Sequence, residues 1–235
     1  MPGDGASRAI TDLFSRRVAR RDHLAPAVEL VSPLAVADPV FPTKAFRKFL
    51  SVLKSQDAPV LIDLGPVVGS NVTYFGEELG CKIFVEDLYA ELERFARDGK
   101  LGEFPKHLEG RLSQPDASVD GILCWDLLDY LERPAARAVG QQVSRMLRPG
   151  GAALSFFATL DTPTLQYTKY LVVDDVSLRH RSYPATRGRQ PVMLNREIIK
   201  MFDGLVVSDS FLLKMNTREI LFQKPVYAPE MRTTL

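Results

Sequence analysis

The apolar positions of this chain change their rhythm near residue 59. From there on, short apolar runs of strand length alternate with segments in which apolar residues recur every three or four positions, which is the period of a helix. The strand-like runs cover residues 60–62, 82–85, 119–125 and 152–158. Strands that alternate with helices in this way predict a mostly parallel sheet with helices on both of its faces.

The last part of the same region predicts a different connection. Two strand-like segments, Val206 to Lys214 and Glu219 to Lys224, are separated by only four residues. A connection this short joins antiparallel strands. With a weaker strand expected near His107 and Leu108, the pattern predicts an α/β fold. We expect a three-layer sandwich with a mostly parallel seven-stranded sheet and a C-terminal antiparallel hairpin.

The first part of the chain predicts an N-terminal helical extension that packs on or near the main domain. Apolar residues at helical spacing run from Ile10 to Val18, a proline-spaced stretch follows, and Thr43 suits the N-cap of a second helix. The expected boundaries are residues 1–58 for the extension, 59–225 for the main domain, 160–190 for a polar insertion within it, and 226–235 for a tail.

Composition and charge exclude several kinds of protein. The chain is 46% hydrophobic and its net charge is only +1, which predicts no general attraction to nucleic acid or membranes. No apolar run approaches the ~20 residues that a membrane-spanning helix needs. The N-terminus shows no signal-peptide pattern, so we expect a cytoplasmic protein. The two cysteines form no CxxC pair, so no structural zinc or other metal is expected.

A glycine-containing turn follows the first strand of the main domain. Asp63 ends the strand, and Gly65 and Gly69 stand in the turn before the next helix. Glycine permits a close approach by a ligand, and a helix start offers unpaired N–H groups. In an open α/β sheet, ligands bind at the carboxyl edge, where Asp63 is expected to lie.

A second acidic position follows the next strand. A carboxylate at Asp87 can accept hydrogen bonds from both hydroxyls of a ribose, and it can also cap the following helix. Glu86 is its neighbour and faces the opposite side of the strand, so only one of the two is expected to reach a sugar. We prefer Asp87 because it lies seven residues beyond Gly80, which is where the family that the chain resembles has its acidic residue.

Four segments together resemble the class I S-adenosylmethionine-dependent methyltransferases: VLIDLGPVVGSN, KIFVEDL, PDASVDGILCWDLLDYL and RMLRPGGAALSFF. The resemblance covers roughly residues 59–225, in the order that the family shows. It implies S-adenosylmethionine as cofactor, a strand that begins at Asp120, a reversed last strand, and an insertion that caps the substrate pocket. The cofactor-binding residues that it implies are Asp63, Gly65, Gly69, Asn71, Asp87 and Asp126.

The chain departs from the family at the middle glycine of the first motif. Val67 stands there, preceded by Pro66, and a valine side chain resists positive φ and takes space beside a ligand. Two hypotheses follow. The protein is a methyltransferase acting on a small molecule or a protein side chain, or it is an inactive relative that serves as a binding or scaffold subunit. A nicotinamide dehydrogenase is disfavoured, because it needs a GxGxxG turn and has no reversed hairpin strand.

The sequence offers two candidate catalytic residues. Asp126 follows the fourth strand and would act as a general base, a substrate anchor or a helix cap. His180 lies in the insertion, among tyrosines and arginines that either bind an anionic group or are simply solvated. Trp125 is expected in the core or in the wall of the cleft, and Tyr130 in packing. The motifs of nucleobase amino-group and cytosine-C5 methyltransferases are absent, and the acceptor stays open.

Partners are the least specified part of the sequence. A protein partner would contact residues 1–58 or the insertion. Within residues 1–58, four arginines contact nucleic acid, contact that partner or form a solvated helix face: Arg16, Arg17, Arg20 and Arg21. No membrane partner is expected, and nucleic acid is disfavoured.

Overall fold

Six strands form the main sheet of the computed structural model, which describes residues 38–162 and 164–226. The strands are β1 (Val40–Pro42), β2 (Val60–Asp63), β3 (Lys82–Val85), β4 (Val119–Trp125), β5 (Leu147–Ala158), β6 (Gln166–Asp174), β7 (Ser177–Pro184), β8 (Val206–Leu213) and β9 (Thr217–Gln223). The main sheet has the order β3-β2-β4-β5-β9-β8. The first four of these strands are parallel, and β9 runs antiparallel between β5 and β8.

Helices cover both faces of this sheet. They are α1 (Ala45–Lys54), α2 (Gly69–Thr73), α3 (Leu88–Arg97), α4 (Phe104–Arg111), α5 (Arg133–Met146) and α6 (Asn195–Met201). A wider helical turn, Tyr74–Glu78, continues α2, and 3₁₀ turns cover Leu101–Glu103 and Leu127–Tyr130. The predicted α/β sandwich and its antiparallel C-terminal hairpin are therefore confirmed. Of the described helices, none combines the length and the apolar character needed to cross a bilayer.

The prediction of a seventh strand near His107 and Leu108 was wrong. These residues lie in α4, and the main sheet of the described residues has six strands. Pro105 suits the first turn of a helix, where its missing N–H costs nothing. Phe104, Leu108 and Leu112 are spaced four apart, and all three are buried on the same face.

The helix predicted after Thr43 is confirmed as α1. The hydroxyl of Thr43 accepts a hydrogen bond from the Phe46 N–H at 3.3 Å. The buried carboxylate of Glu219 accepts the N–H groups of Lys44 and Ala45 at 2.8 and 2.9 Å, so a negative charge lies at the positive end of the helix. The helix predicted between Ile10 and Val18 lies outside the described residues.

The insertion folds as a β-hairpin, which the sequence pattern did not predict. β6 and β7 are antiparallel, and β1 pairs with the outer side of β7 to complete a small sheet in the order β1-β7-β6. Tyr170 and Leu178 from this hairpin are buried in the same apolar cluster as α1. The hairpin is therefore part of the folded core, and it brings its side chains to the carboxyl edge of the main sheet.

Candidate functional site

Three parallel strands end at one edge of the main sheet and bring the predicted site residues together. Asp63 ends β2, Asp87 follows β3, and Trp125 ends β4 with Asp126 directly after it. The register pairs Asp63 with Val85 on one side and with Leu123 on the other. This arrangement is the one that a ligand-binding edge of an open α/β sheet requires.

Asp63 is almost completely buried at this edge. Its Oδ1 accepts hydrogen bonds from the Gly65 N–H at 2.9 Å and from the Trp125 indole N–H at 2.7 Å. Burial raises the pKa of this carboxyl to about 6, although both hydrogen bonds favour its charged form. The carboxylate is thus already partnered within the chain.

The two glycines of the first motif differ in what surrounds them. A Cβ at Gly65 would lie 2.4 Å from Cδ1 of Trp125, so no larger residue fits there beside the indole. A Cβ at Gly69 would meet no atom within 4 Å. Gly65 is therefore required by a close approach, while the predicted role of Gly69 toward a cofactor stays a prediction.

The loop accommodates Val67 by turning its side chain outward. Val67 is 53% exposed, and it does not adopt a positive φ. Its N–H donates to Oδ2 of Asp87 at 3.4 Å, and its carbonyl accepts from Nζ of Lys169 at 3.3 Å. The residue that replaces the family's middle glycine is therefore held by a strand-end carboxylate on one side and by the hairpin on the other.

Asp87 caps a helix, as one of the two interpretations of the sequence required. Its side chain accepts the N–H of Ala90 at 3.0 Å, at the start of α3. Its backbone has a φ of 37°, in the left-handed region that few non-glycine residues adopt. Glu86 points away from this place and is held by Arg111 and Gln114. Of the two neighbouring carboxylates, only Asp87 faces the glycine-containing loop.

Asn71 has a different role from the one that the resemblance implied. Its side chain is buried, and its Nδ2 donates to the Tyr170 carbonyl at 2.8 Å, while its Oδ1 accepts the Val172 N–H at 2.9 Å. The amide therefore satisfies the open edge of β6 and ties α2 to the hairpin. A contact between this residue and a cofactor stays a prediction.

Asp126 lies under the segment that follows β7. Its Oδ2 accepts from Arg189 at 2.8 Å and is 3.5 Å from the Tyr130 hydroxyl. Burial raises the pKa of Asp126, and the Arg189 charge opposes that rise. The side chain makes no capping hydrogen bond, so the structure replaces the predicted cap with an ion pair.

His180 lies on the hairpin between aromatic rings. Its ring centroid is 4.7 Å from that of Phe41 and 4.8 Å from that of Tyr170. Burial, with a contribution from the Arg189 charge, lowers the pKa of His180 to about 4, so the imidazole is neutral at pH 7. A neutral imidazole has the free lone pair that a general base needs.

Two features of this site were missed at the level of the sequence. Tyr170 stacks on Trp125 with a centroid distance of 5.2 Å and an interplanar angle of 7°. Asp129 is buried, accepts the Ala158 N–H at 2.7 Å, and has a pKa raised to about 7 by burial. The tyrosines of the insertion, at positions 167, 170 and 183, were the available signal, but nothing indicated which of them would meet Trp125.

The described residues include no group of three or more His, Cys, Asp or Glu side chains arranged to hold a metal ion. The polar groups at the strand ends are instead the carboxylates of Asp63 and Asp87 and the ion pair of Asp126 with Arg189. This set suits an uncharged or cationic organic ligand with hydroxyl or amino groups.

Comparison with known proteins identifies the domain. A family model described as a methyltransferase domain matches residues 62–155, which run from β2 to β5 and include the strand ends of the site. No curated protein sequence matches the chain.

Solved structures show only distant similarity. The Burkholderia thailandensis 1,6-didemethyltoxoflavin-N1-methyltransferase is 18% identical, over 77% of this chain and 79% of that chain, with a TM-score of 0.45. The glycopeptide N-methyltransferase MtfA in complex with S-adenosylmethionine is 16% identical, over 85% of this chain and 100% of that chain, with a TM-score of 0.44. The (4+2)-cyclase SpnF is 12% identical, over 82% and 88%, with a TM-score of 0.48.

With every one of these TM-scores below 0.5, the three alignments support no conclusion about an acceptor. The family match and the ordered motifs are what assign the domain. Residues 62–155 therefore match a methyltransferase domain, in the part of the chain whose motifs resemble the class I S-adenosylmethionine-dependent methyltransferases.

Proposed function

We propose that this protein transfers a methyl group from S-adenosylmethionine to a small molecule or to a protein side chain. The observation that carries the proposal is the convergence of Asp63, Gly65 and Asp87 at the carboxyl ends of parallel strands, within a domain of this family. The hairpin β6–β7 lies against the same edge, which supports a role in forming the acceptor side of the site.

Methyl transfer requires the protein mainly to align the cofactor with the acceptor. S-adenosylmethionine, when bound, supplies a methyl group that its positively charged sulfur already activates. Asp87 is suited to accept the ribose hydroxyls, because a carboxylate has acceptor capacity beyond its bonds to Val67 and Ala90. An acceptor oxygen or nitrogen must lose a proton, and Asp126 or the neutral His180 would take it.

The two candidate bases, Asp126 and His180, differ in how strongly their surroundings oppose the uptake of a proton. Asp126 is paired with Arg189 through its Oδ2, and the positive charge of Arg189 opposes the uptake of a proton. His180 has no ion-pair partner in the described residues and is uncharged at neutral pH. We therefore expect His180→Gln to reduce turnover at pH 6–8 more than Asp126→Asn does, and the reverse order would identify Asp126 as the base.

The first experiment is calorimetric titration and thermal unfolding with S-adenosylmethionine and S-adenosylhomocysteine. A ligand at about 100 times its Kd stabilises the fold by ~2.7 kcal/mol. Asp87→Asn is a sharp test, because asparagine tolerates a left-handed backbone and can still accept the Ala90 N–H. We expect this variant to lose affinity while its stability without ligand stays near that of the wild type.

Glu86→Gln provides the matched control, since Glu86 is the adjacent carboxylate and points away from the loop. Its affinity for either ligand should match the wild type. Equal affinity in the wild type and Asp87→Asn would contradict the role given to Asp87. Turnover is then measured with S-adenosylmethionine labelled in the methyl group, against separate pools of small molecules and proteins.

A second candidate function is that of a non-catalytic binding or scaffold subunit. The observation that favours it is the internal pairing of the cleft carboxylates: Asp63 is bound by Trp125, and Asp126 is bound by Arg189. No binding of either ligand to the wild type, together with stable co-purification of a protein partner, would favour this function. Cofactor binding that Asp87→Asn weakens would argue against it.

A further inference from the structure

The single tryptophan of the chain lies at the centre of the candidate cofactor cleft. Trp125 ends β4, is 3% exposed, and has a φ of 49°. A bulky side chain in the left-handed region is strained, and such strain persists only where surrounding contacts hold it. The contacts that hold this residue are therefore informative about the cleft.

The indole occupies the space between the first motif and the hairpin. Its N–H donates to Asp63 at 2.7 Å, and its ring fills the volume in front of Gly65, where even one added carbon would lie 2.4 Å away. Its other face is stacked on Tyr170 at 5.2 Å. A ligand group and this indole cannot share the space that Asp63 and Gly65 face.

The two ends of the cleft therefore differ. At the Asp87 end, the loop side chain of Val67 points to solvent, and the carboxylate retains acceptor capacity for ribose hydroxyls. At the Asp63 end, the indole N–H holds the carboxylate that faces the first motif. Residues that fit a nucleoside lie at one end, while the other end is filled by the protein itself.

The hairpin holds the indole in this position. Tyr170 is held against it because the Asn71 amide binds the backbone of β6 at two points, the Tyr170 carbonyl and the Val172 N–H. Arg189 and Asp126 add an ion pair beside the stack. Movement of the indole out of the cleft thus requires the Tyr170 stack to part.

We propose that Trp125 is a gate residue, whose indole closes the Asp63 end of the cleft in the ligand-free protein and leaves it when S-adenosylmethionine binds. This inference rests on the proposed function, because it assumes that the cleft takes this cofactor. The gate lowers the fraction of molecules that can bind, so it weakens the apparent affinity without altering any residue that contacts the cofactor.

The wild type allows a direct test because Trp125 is the sole source of tryptophan emission. Titration with S-adenosylhomocysteine should move the emission maximum to longer wavelength and increase quenching by acrylamide. Both changes should follow the same midpoint as the heat of binding. Binding heat with an unchanged emission maximum and unchanged quenching would overturn the gate and leave the proposed function standing.

Substitution gives the second test. Trp125→Ser removes the indole and should tighten binding of S-adenosylhomocysteine about tenfold or more, because the closed state no longer competes. Trp125→Phe removes the hydrogen bond to Asp63 but keeps an aromatic ring, so it should tighten binding less. This variant tests the gate if the serine variant does not fold. Phe202→Leu is the control, since Phe202 is equally buried but lies in the other core cluster, stacked on Phe222 at 4.1 Å. Its affinity should match the wild type.

The outcomes separate the gate from the proposed function. Binding by Trp125→Ser with little or none by the wild type would support the gate, whether or not methyl turnover follows. Equal affinities of the wild type and both Trp125 variants would overturn the gate alone. Absence of binding in all three proteins would overturn both the gate and the proposed cofactor site.

Discussion

At the scale of single residues, the carboxyl groups near the strand ends are held by partners from distant parts of the chain. Asp63 binds the indole of Trp125, Asp126 binds Arg189, and Asp129 accepts the N–H of Ala158. Burial raises the pKa of all three carboxyl groups, because the charged form loses more hydration than these contacts return. Such groups make stability depend on pH.

A marked dependence of this kind is expected from Asp129. With a pKa near 7 in the folded chain and about 3.9 in the unfolded chain, this group holds a proton in the folded state that the unfolded state has released. The free energy of unfolding should therefore fall as pH rises from about 4 to 7, by an amount on the order of 4 kcal/mol from this group. Urea unfolding across this range measures the fall.

Asp129→Asn removes this titration and keeps an oxygen that can accept the Ala158 N–H. We expect the variant and the wild type to be equally stable near pH 4, and the variant to be the more stable above pH 7. Titration of Asp63 and Asp126 occurs in both proteins, so the difference between the two stability curves measures Asp129 together with its coupling to Asp126. Parallel stability curves for the two proteins would mean that Asp129 is not the group responsible.

Gly65 allows a second prediction at this scale. Gly65→Ala would place a methyl group 2.4 Å from Cδ1 of Trp125, and the ring is packed too closely on its other face to move freely. Overpacking of this kind costs about 1 to 3 kcal/mol. Gly76→Ala is the matched control, because Gly76 lies in a helical turn and an added Cβ would meet no atom within 4 Å. It should gain roughly 0.5 to 1 kcal/mol in urea unfolding.

The sequence predicted where some of these residues lie, but not which residues they contact. Asp63, Gly65, Asp87 and Asp126 could be assigned to one edge because strand ends in a parallel sheet are fixed by the alternation of strands and helices. The partners of these residues could not be assigned. Tyr170 lies 45 residues after Trp125, and Arg189 lies 19 residues after Tyr170. Only the path of the insertion brings these three residues together.

At the scale of elements, the hairpin β6–β7 explains the largest gap between sequence and structure. Its strands have no clean alternation of apolar and polar residues, because tyrosines lie on both faces: Tyr170 is buried in the core, while Tyr167 stacks on Tyr183 on the opposite face. β6 is also an edge strand, and its backbone groups are satisfied by a side chain, Asn71, rather than by another strand. A pairing of this kind leaves no periodic signal in the sequence.

This contact gives a prediction for the element. Asn71→Ala removes the partners of the Tyr170 carbonyl and the Val172 N–H, and leaving such buried groups unpaired costs about 1 to 3 kcal/mol. Amide hydrogen exchange at β6 should become faster, while exchange in β4 should keep its protection relative to global unfolding. Equal acceleration in both strands would show that Asn71 stabilises the whole fold and does not act locally on the hairpin.

At the scale of the whole molecule, α1 joins the N-terminal part of the described chain to the methyltransferase domain. Its buried residues are Ala45, Phe46, Phe49, Leu50 and Leu53. The sheet is shaped to receive them: a Cβ at Gly121 in β4 would lie 2.7 Å from Cδ2 of Leu53 and 2.9 Å from Cζ of Phe49. The glycine in β4 thus forms the recess in which α1 packs.

This packing predicts where the folding unit begins. A chain that starts at residue 59, the boundary expected from the sequence pattern, would lose the four large side chains of α1. Burial of these side chains contributes about 6 to 12 kcal/mol, which is comparable to the ~5 to 15 kcal/mol that stabilises a typical domain. We therefore expect residues 59–235 to show no cooperative thermal unfolding, and residues 38–235 to unfold cooperatively. Phe49→Ala in the full chain should cost about 3 to 5 kcal/mol. Cooperative unfolding of the 59–235 chain would mean that α1 only covers a sheet that is stable without it.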